Sequence, residues 1–95
     1  MAGYKVFFRP SADRQLRKLP AGVQRRIVAE VATLASNPRP AGVVKLAGED
    51  NLWRIRIGDY RVVYEIHDDC LVVLVLRVAN RKDVYRRKQR KGRYS

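Results

Sequence analysis

The segment LWRIRIGDYRVVYEI, residues 52–66, decides the fold. Apolar and polar residues alternate from Trp53 to Ile57 and again from Tyr60 to Ile66. That period of two marks a pair of half-buried strands. Gly58 and Asp59 separate them. Glycine at the first central position of a two-residue loop suits a type II′ turn, whose twist matches that of the paired strands. Such a turn sets the register. Ile57 faces Tyr60, Arg56 faces Arg61, Ile55 faces Val62 and Arg54 faces Val63. Trp53, Ile55, Ile57, Tyr60, Val62, Tyr64 and Ile66 then share one apolar face that needs a cover. Arg54, Arg56 and Arg61 share the other.

Opposing Arg56 and Arg61 costs something comparable to a good cross-strand pair, about 0.2–1 kcal/mol. A polyanion reverses the sign, because closely spaced guanidinium groups clasp phosphate well. On these residues alone the alternative stays open: a solvated face with splayed side chains, partly neutralised by Glu65.

Working outward, residues 71–78 (LVVLVLRV) form an almost unbroken apolar run, expected to be a central strand buried on both faces. Asp68 and Asp69 make the turn before it. Tyr4 to Phe8, aromatic and β-branched, is an opening strand. Ser11 is placed to cap a helix carrying Ala12, Leu16 and Leu19 at helical spacing, with Arg14, Arg17 and Lys18 pointing away. Pro20 starts a second helix, whose apolar face is Val23, Ile27, Val31 and Leu34, broadened by Val28. Asn37-Pro38-Arg39-Pro40 ends it. The two helices are expected to form an antiparallel hairpin with their apolar faces turned the same way. A short strand is expected near Val43 to Leu46. The expected architecture is α+β: an N-terminal strand, an antiparallel helical hairpin over a three- to four-stranded antiparallel meander, and a short C-terminal helix from about Arg81.

The chain has 95 residues, room for one domain. Its 21 lysines and arginines against 9 aspartates and glutamates give a net charge of +12, which implies an acidic partner. The single cysteine, Cys70, excludes a disulfide framework and a cysteine metal set. The acidic residues are scattered, unlike the carboxylate cluster of a metal-dependent nuclease. No cofactor is expected. The opening strand begins too close to Met1 for a signal peptide, and no apolar run is long enough to cross a bilayer, so a cytoplasmic, membrane-free protein is expected. Residues 1–85 are read as one domain and 86–95 as a basic tail. That tail has three possible roles: binding nucleic acid through its phosphates, binding a partner protein, or solubilising the end of the chain.

Several segments together carry a resemblance: Lys45-Leu46, Trp53-Arg54-Ile55-Arg56, Asp59-Tyr60-Arg61-Val62-Val63-Tyr64, and the run from Arg77 to Tyr85. The chain resembles the RelE/ParE superfamily of type II toxins, and its RelE branch more closely, over nearly its whole length. The resemblance implies a RelE-like fold and a ribosome-dependent, metal-independent mRNA endonuclease held inactive by an acidic, RelB-like antitoxin. Residue by residue, it implies that Arg61 is the family's sheet arginine, Arg81 the arginine after the last strand, and Tyr85 the tyrosine of the final helix. Arg54 and Arg56 stand where the best-known branch carries lysines, and Asn80 where many relatives carry histidine. An arginine keeps its proton, so it clamps better than it transfers protons.

Self-cleavage of RNA needs a deprotonated 2′-hydroxyl, stabilisation of the phosphorane charge, and a proton for the leaving 5′-oxygen. Arg54, Arg56, Arg61 and Arg81 are suited to the charge stabilisation, usually the largest contribution. Tyr85 is the candidate proton carrier, because neighbouring guanidinium charges favour a phenolate. Its alternative is a packing role against the sheet. Lys45, Arg77, Lys82, Arg86 and Arg87 are assigned to holding RNA phosphates. His67 is read as a turn residue and Glu65 as an ion-pair partner. Two other functions remain open: a ParE-like inhibitor of DNA gyrase, and a catalytically weak nucleic-acid- or ribosome-binding module.

Overall fold

The structure is a computed structural model that describes residues 3–46, 48 and 51–80. Among these, the elements run β1 (Lys5–Phe8), α1 (Pro10–Arg17), α2 (Ala21–Ala32), a 3-10 turn (Thr33–Ala35), β2 (Val44–Lys45), β3 (Leu52–Ile57), β4 (Tyr60–His67) and β5 (Val72–Asn80). The strands make one sheet in the order β1-β5-β4-β3-β2. β2 to β5 are an antiparallel meander, as expected. β1 joins it by parallel pairing with β5, Lys5 opposite Val72 through Phe8 opposite Val75, which makes the sheet mixed. The parallel pairing is possible because both helices intervene between β1 and the meander, giving the chain length to return.

The β3–β4 register is the one that the two-residue turn demands: Ile57 opposite Tyr60, Arg56 opposite Arg61, Leu52 opposite Glu65. Gly58 adopts φ 60°, in the left-handed region where a side chain is strained. The apolar face is covered as its composition requires. Ala12 and Leu16 of α1, Ile27 and Val31 of α2, and Leu34 bury against Ile57, Val62, Tyr64, Ile66, Val73, Val75 and Val78. Both helices therefore turn their apolar stripes to the same core. Val28 departs from the expectation: it is 46% exposed, 100° round the helix from Ile27, on the solvent side.

Three local expectations are corrected. Ser11 does not cap α1; the helix begins two residues earlier than that cap implies, with Pro10 in its first turn and Arg9 as the capping residue. Proline there loses no bond, since the first N–H groups have no intrahelical acceptor. The last strand runs to Asn80 and is not a plain apolar strand. Val63 pairs with Arg77 while Tyr64 pairs with Val75, so Leu76 is an extra residue and β5 bulges. Without the bulge Arg77 would oppose Val62, inside the core. With it, Arg77 moves to the open face and Val78 takes the buried place. Finally, His67 is not in the turn but ends β4, with Nε2 2.9 Å from Glu65 Oε1. The helix expected from about Arg81 lies outside the described residues.

Side chains finish what the ladders leave open. β1 stops at Phe8, so the far part of β5 lacks a strand neighbour on that side; Gln15 of α1 accepts the Val78 N–H at 2.8 Å. Gln24 Nε2 donates to the Leu19 carbonyl at 2.8 Å and the Arg17 carbonyl at 3.3 Å, covering the orphan end of α1. Tyr64, fully buried, donates its hydroxyl to the Pro38 carbonyl at 2.8 Å and ties the 36–40 loop to the sheet.

Burial pushes the Tyr64 phenol up to about 12, an effect that nearby Arg39 partly opposes. A raised folded-state value means that the neutral phenol is favoured by folding. Its contribution is complete below pH 10 and is lost as pH rises from 10 towards 12. At about 1.4 kcal/mol per unit, this is on the order of 2–3 kcal/mol. Replacement of Tyr64 by Phe should destabilise the protein at neutral pH by about 1–3 kcal/mol, because a buried carbonyl loses its donor. The gap between the two proteins in chemical denaturation should narrow between pH 10 and 12. Separately, Gly58→Ala should cost about 1 kcal/mol or more through the strained φ, seen as a lower melting temperature.

Candidate nucleic-acid interface

The sheet face opposite α1 and α2 is a grid set by the register. One row reads Arg56, Arg61, Ala79 across β3, β4 and β5; the next reads Arg54, Val63, Arg77; the next reads Leu52, Glu65, Leu74 and Phe7 of β1. Four arginines therefore surround Val63. Directly opposed residues sit about 4.5–5.5 Å apart at Cβ, and diagonal neighbours about 7–8 Å. Arg54, Arg61 and Arg77 are half-buried, which holds their stems against the sheet, while Arg56 is exposed. Arg56 relieves its opposition to Arg61 by bending towards the hairpin tip, where its Nε donates a long, 3.4 Å hydrogen bond to the Gly58 carbonyl. Glu65 also lies on this face, but its carboxylate is engaged with His67.

Lys45 is not part of this wall. It pairs with Trp53 and so points to the helix side of the sheet, with its Nζ 5.8 Å from the centre of the Trp53 ring. The pleat decides this: Val44, not Lys45, stands beside Arg54. Arg81, Lys82, Tyr85, Arg86 and Arg87 lie outside the described residues; among the described residues the wall comprises Arg54, Arg56, Arg61 and Arg77. The bulge that recruits Arg77 had no signature beyond an arginine interrupting an apolar run.

A second polar cluster serves structure. Arg39 grips Asp68 with two bonds, Nη2 to Oδ2 at 2.8 Å and Nη1 to Oδ1 at 3.3 Å, while the Tyr4 hydroxyl donates to Asp68 Oδ1. This ties the loop after α2, the β4–β5 turn and the start of β1 together. The Arg39 guanidinium also lies 5.1 Å from the Trp53 ring centre. The bonds from Arg39 and then Tyr4 hold the Asp68 carboxyl below its ordinary value. Accepting the Tyr4 hydrogen bond, Asp68 in turn raises the Tyr4 phenol. Among the described residues no group of three potential metal ligands occurs, and no helix is long and apolar enough to cross a membrane.

Comparison with known proteins bears on this geometry. Residues 6–85 match the family described as ParE toxin of type II toxin-antitoxin system, parDE. The chain belongs to the RelE/ParE toxin superfamily. The toxin is 34% identical over 85 residues to Toxin RelG of Mycobacterium tuberculosis, covering 88% of this chain and 98% of that protein. Its fold is similar to the toxin in the archaeal RelE-RelB complex of Pyrococcus horikoshii, at a TM-score of 0.74 and 31% identity over 85% of this chain and 97% of that one. It is also similar to the Escherichia coli RelBE toxin-antitoxin complex, at a TM-score of 0.71 and 29% identity over 81% and 95%. These names put this toxin on the RelE side of the superfamily.

Because its folded value is depressed, Asp68 contributes stability above its ordinary carboxylate value, and that contribution is lost as pH falls through the folded value. In Arg39→Ala, carboxylate titration followed by NMR should return Asp68 towards its ordinary value. The acid unfolding midpoint should move to higher pH.

Proposed function

We propose that this toxin is a ribosome-dependent mRNA endonuclease whose arginine wall holds and charge-stabilises the scissile phosphate. The observation that carries the proposal is the placement of Arg54, Arg56, Arg61 and Arg77 around Val63 on the sheet face opposite α1 and α2. Such a wall is a poor proton carrier and a good anion clamp. In the proposed reaction the arginines stabilise the pentacovalent phosphorane, and Tyr85 takes the 2′-hydroxyl proton. The leaving 5′-oxygen is protonated by a group that the ribosome or a bound water supplies. Arg81 and Lys82 join the phosphate contacts, with Arg86 and Arg87 extending them along the basic tail.

An acidic antitoxin is the proposed partner. The free wall is self-repelling, and a carboxylate-rich segment would neutralise it. The solved RelE-RelB complexes among the structural neighbours support a partner of this kind. A cytoplasmic setting follows from a substrate on translating ribosomes.

The family description, which names ParE, favours a second reading in which the wall binds DNA gyrase without RNA chemistry. One experiment separates the two. In a reconstituted translation reaction with primer extension, the wild type should cut mRNA, and Arg61→Ala should slow cutting by about 100-fold or more, the scale of removing one transition-state donor. Tyr85→Phe should also cut slowly. Intact mRNA together with inhibited gyrase supercoiling would reject the endonuclease.

A further inference from the structure

A pocket of about 220 Å³ opens at the tip of the β3–β4 hairpin, lined by Val23, Arg26 and Ile27 of α2 and by Ile57, Gly58, Asp59 and Tyr60. Its floor is apolar: Ile27 and Ile57 are buried, and Val23 and Tyr60 pack partly against the core. Its rim carries one donor and one acceptor of opposite charge. Arg26 leans over the turn so closely that a Cβ on Gly58 would stand 3.0 Å from its Nη1. Among the described residues the side chains of Arg26 and Asp59 have neither an ion pair nor a hydrogen bond, with each other or elsewhere. A second, larger recess of about 470 Å³ continues past Gly58 along β3, bounded by Ile55, Arg56, Glu30 and Thr33. Gly58 and its neighbour Arg56 therefore connect the pocket to the arginine wall.

An apolar slot with an aromatic side wall, one free guanidinium and one free carboxylate is the chemistry of a nucleobase site. The ring stacks, and the two polar groups read its edge. We propose that this pocket receives a base of the RNA strand whose phosphates lie on the arginine wall, and that Asp59 and Arg26 select that base. The proposal rests on the wall being a phosphate site. Tyr60 provides the stacking surface. The Asp59 carboxylate accepts an exocyclic amino group, and the Arg26 guanidinium donates to a ring nitrogen or carbonyl oxygen. Cytosine, adenine and guanine carry an amino group that can meet Asp59. Uracil has no amino group; its single imino N–H lies between two carbonyl oxygens, so a carboxylate that accepts it stands against a carbonyl on either side. The pocket should therefore favour amino-bearing bases over uracil by roughly tenfold, the lower end of what one good base-edge pair provides. Glycine at position 58 serves here twice, for the turn and for the space that Arg26 occupies.

The test uses the full chain and two non-cleavable trinucleotides with 2′-deoxy linkages. One carries 2-aminopurine, whose fluorescence is quenched by stacking; the other is abasic at the same position and carries a terminal dye. The wild type should quench 2-aminopurine saturably, and a cytidine competitor should displace it about tenfold better than a uridine competitor. Val23→Phe, which fills the slot, and Tyr60→Leu, which removes the ring, should both abolish quenching while still binding the abasic probe. Asp59→Ala should bring the cytidine and uridine competitors level. Quenching that survives both Val23→Phe and Tyr60→Leu, or equal competition by cytidine and uridine in the wild type, would overturn the pocket. The abasic probe keeps the two claims apart. If it fails to bind, the phosphate wall is wrong, and base-probe quenching that Val23→Phe removes would still support the pocket.

Discussion

The structure depends on a two-residue corner. Gly58 at φ 60° turns the chain with no residue to spare, and from that point every pair in the hairpin is determined. A strand has a side-chain period of two, so a slip of one residue would exchange its faces. Here that exchange would drive Arg54, Arg56 and Arg61 under the helices and expose Ile55, Ile57, Val62 and Tyr64. Burying three unpaired guanidinium groups is prohibitive against any packing gain. The core and the cationic wall are thus two consequences of one turn.

The bulge at Leu76 extends this logic to the neighbouring strand. β5 must bury Val73 and Val75 at one end and Val78 at the other, yet those positions do not share a parity. One extra residue resolves the conflict and, in the same step, takes Arg77 out of the core and adds it to the wall. β1 ends opposite Val75, so among the described residues Val78 has no strand partner on its outer side, and Gln15 supplies the acceptor. Bulges beside functional faces commonly re-aim a side chain in this way.

Charge is divided by role across the molecule. Arg39 and Asp68, with Tyr4, form a closed exposed network that pins the loops at one end of the sheet. Asp13 and Arg17 pair along α1 in the same local manner. Among the described residues Arg54, Arg56 and Arg61 form no ion pair and share one sheet face, a local conflict that a packed domain tolerates where function requires it. The hairpin tip joins the wall to the pocket under Arg26, so the glycine that creates the fold also borders both proposed contacts with RNA.

Much of this was legible in residues 52–66, because alternation and a two-residue glycine turn act through nearest neighbours. The strand pair, its register, its apolar face and the company of Arg54, Arg56 and Arg61 all follow from local stereochemistry. The helical stripes of Leu16, Ile27 and Val31 were legible for the same reason. Other features depend on contacts between segments far apart in the chain. The parallel seat of β1 against β5, the bulge that admits Arg77, the turning of Lys45 to the Trp53 side and the reach of Arg26 over Gly58 belong to that group. None leaves a periodic mark, because each is settled by what packs across the space between elements. The amino-acid order by itself determined which residues share a strand face; only the assembled sheet and helices decided which distant side chains meet at its edge.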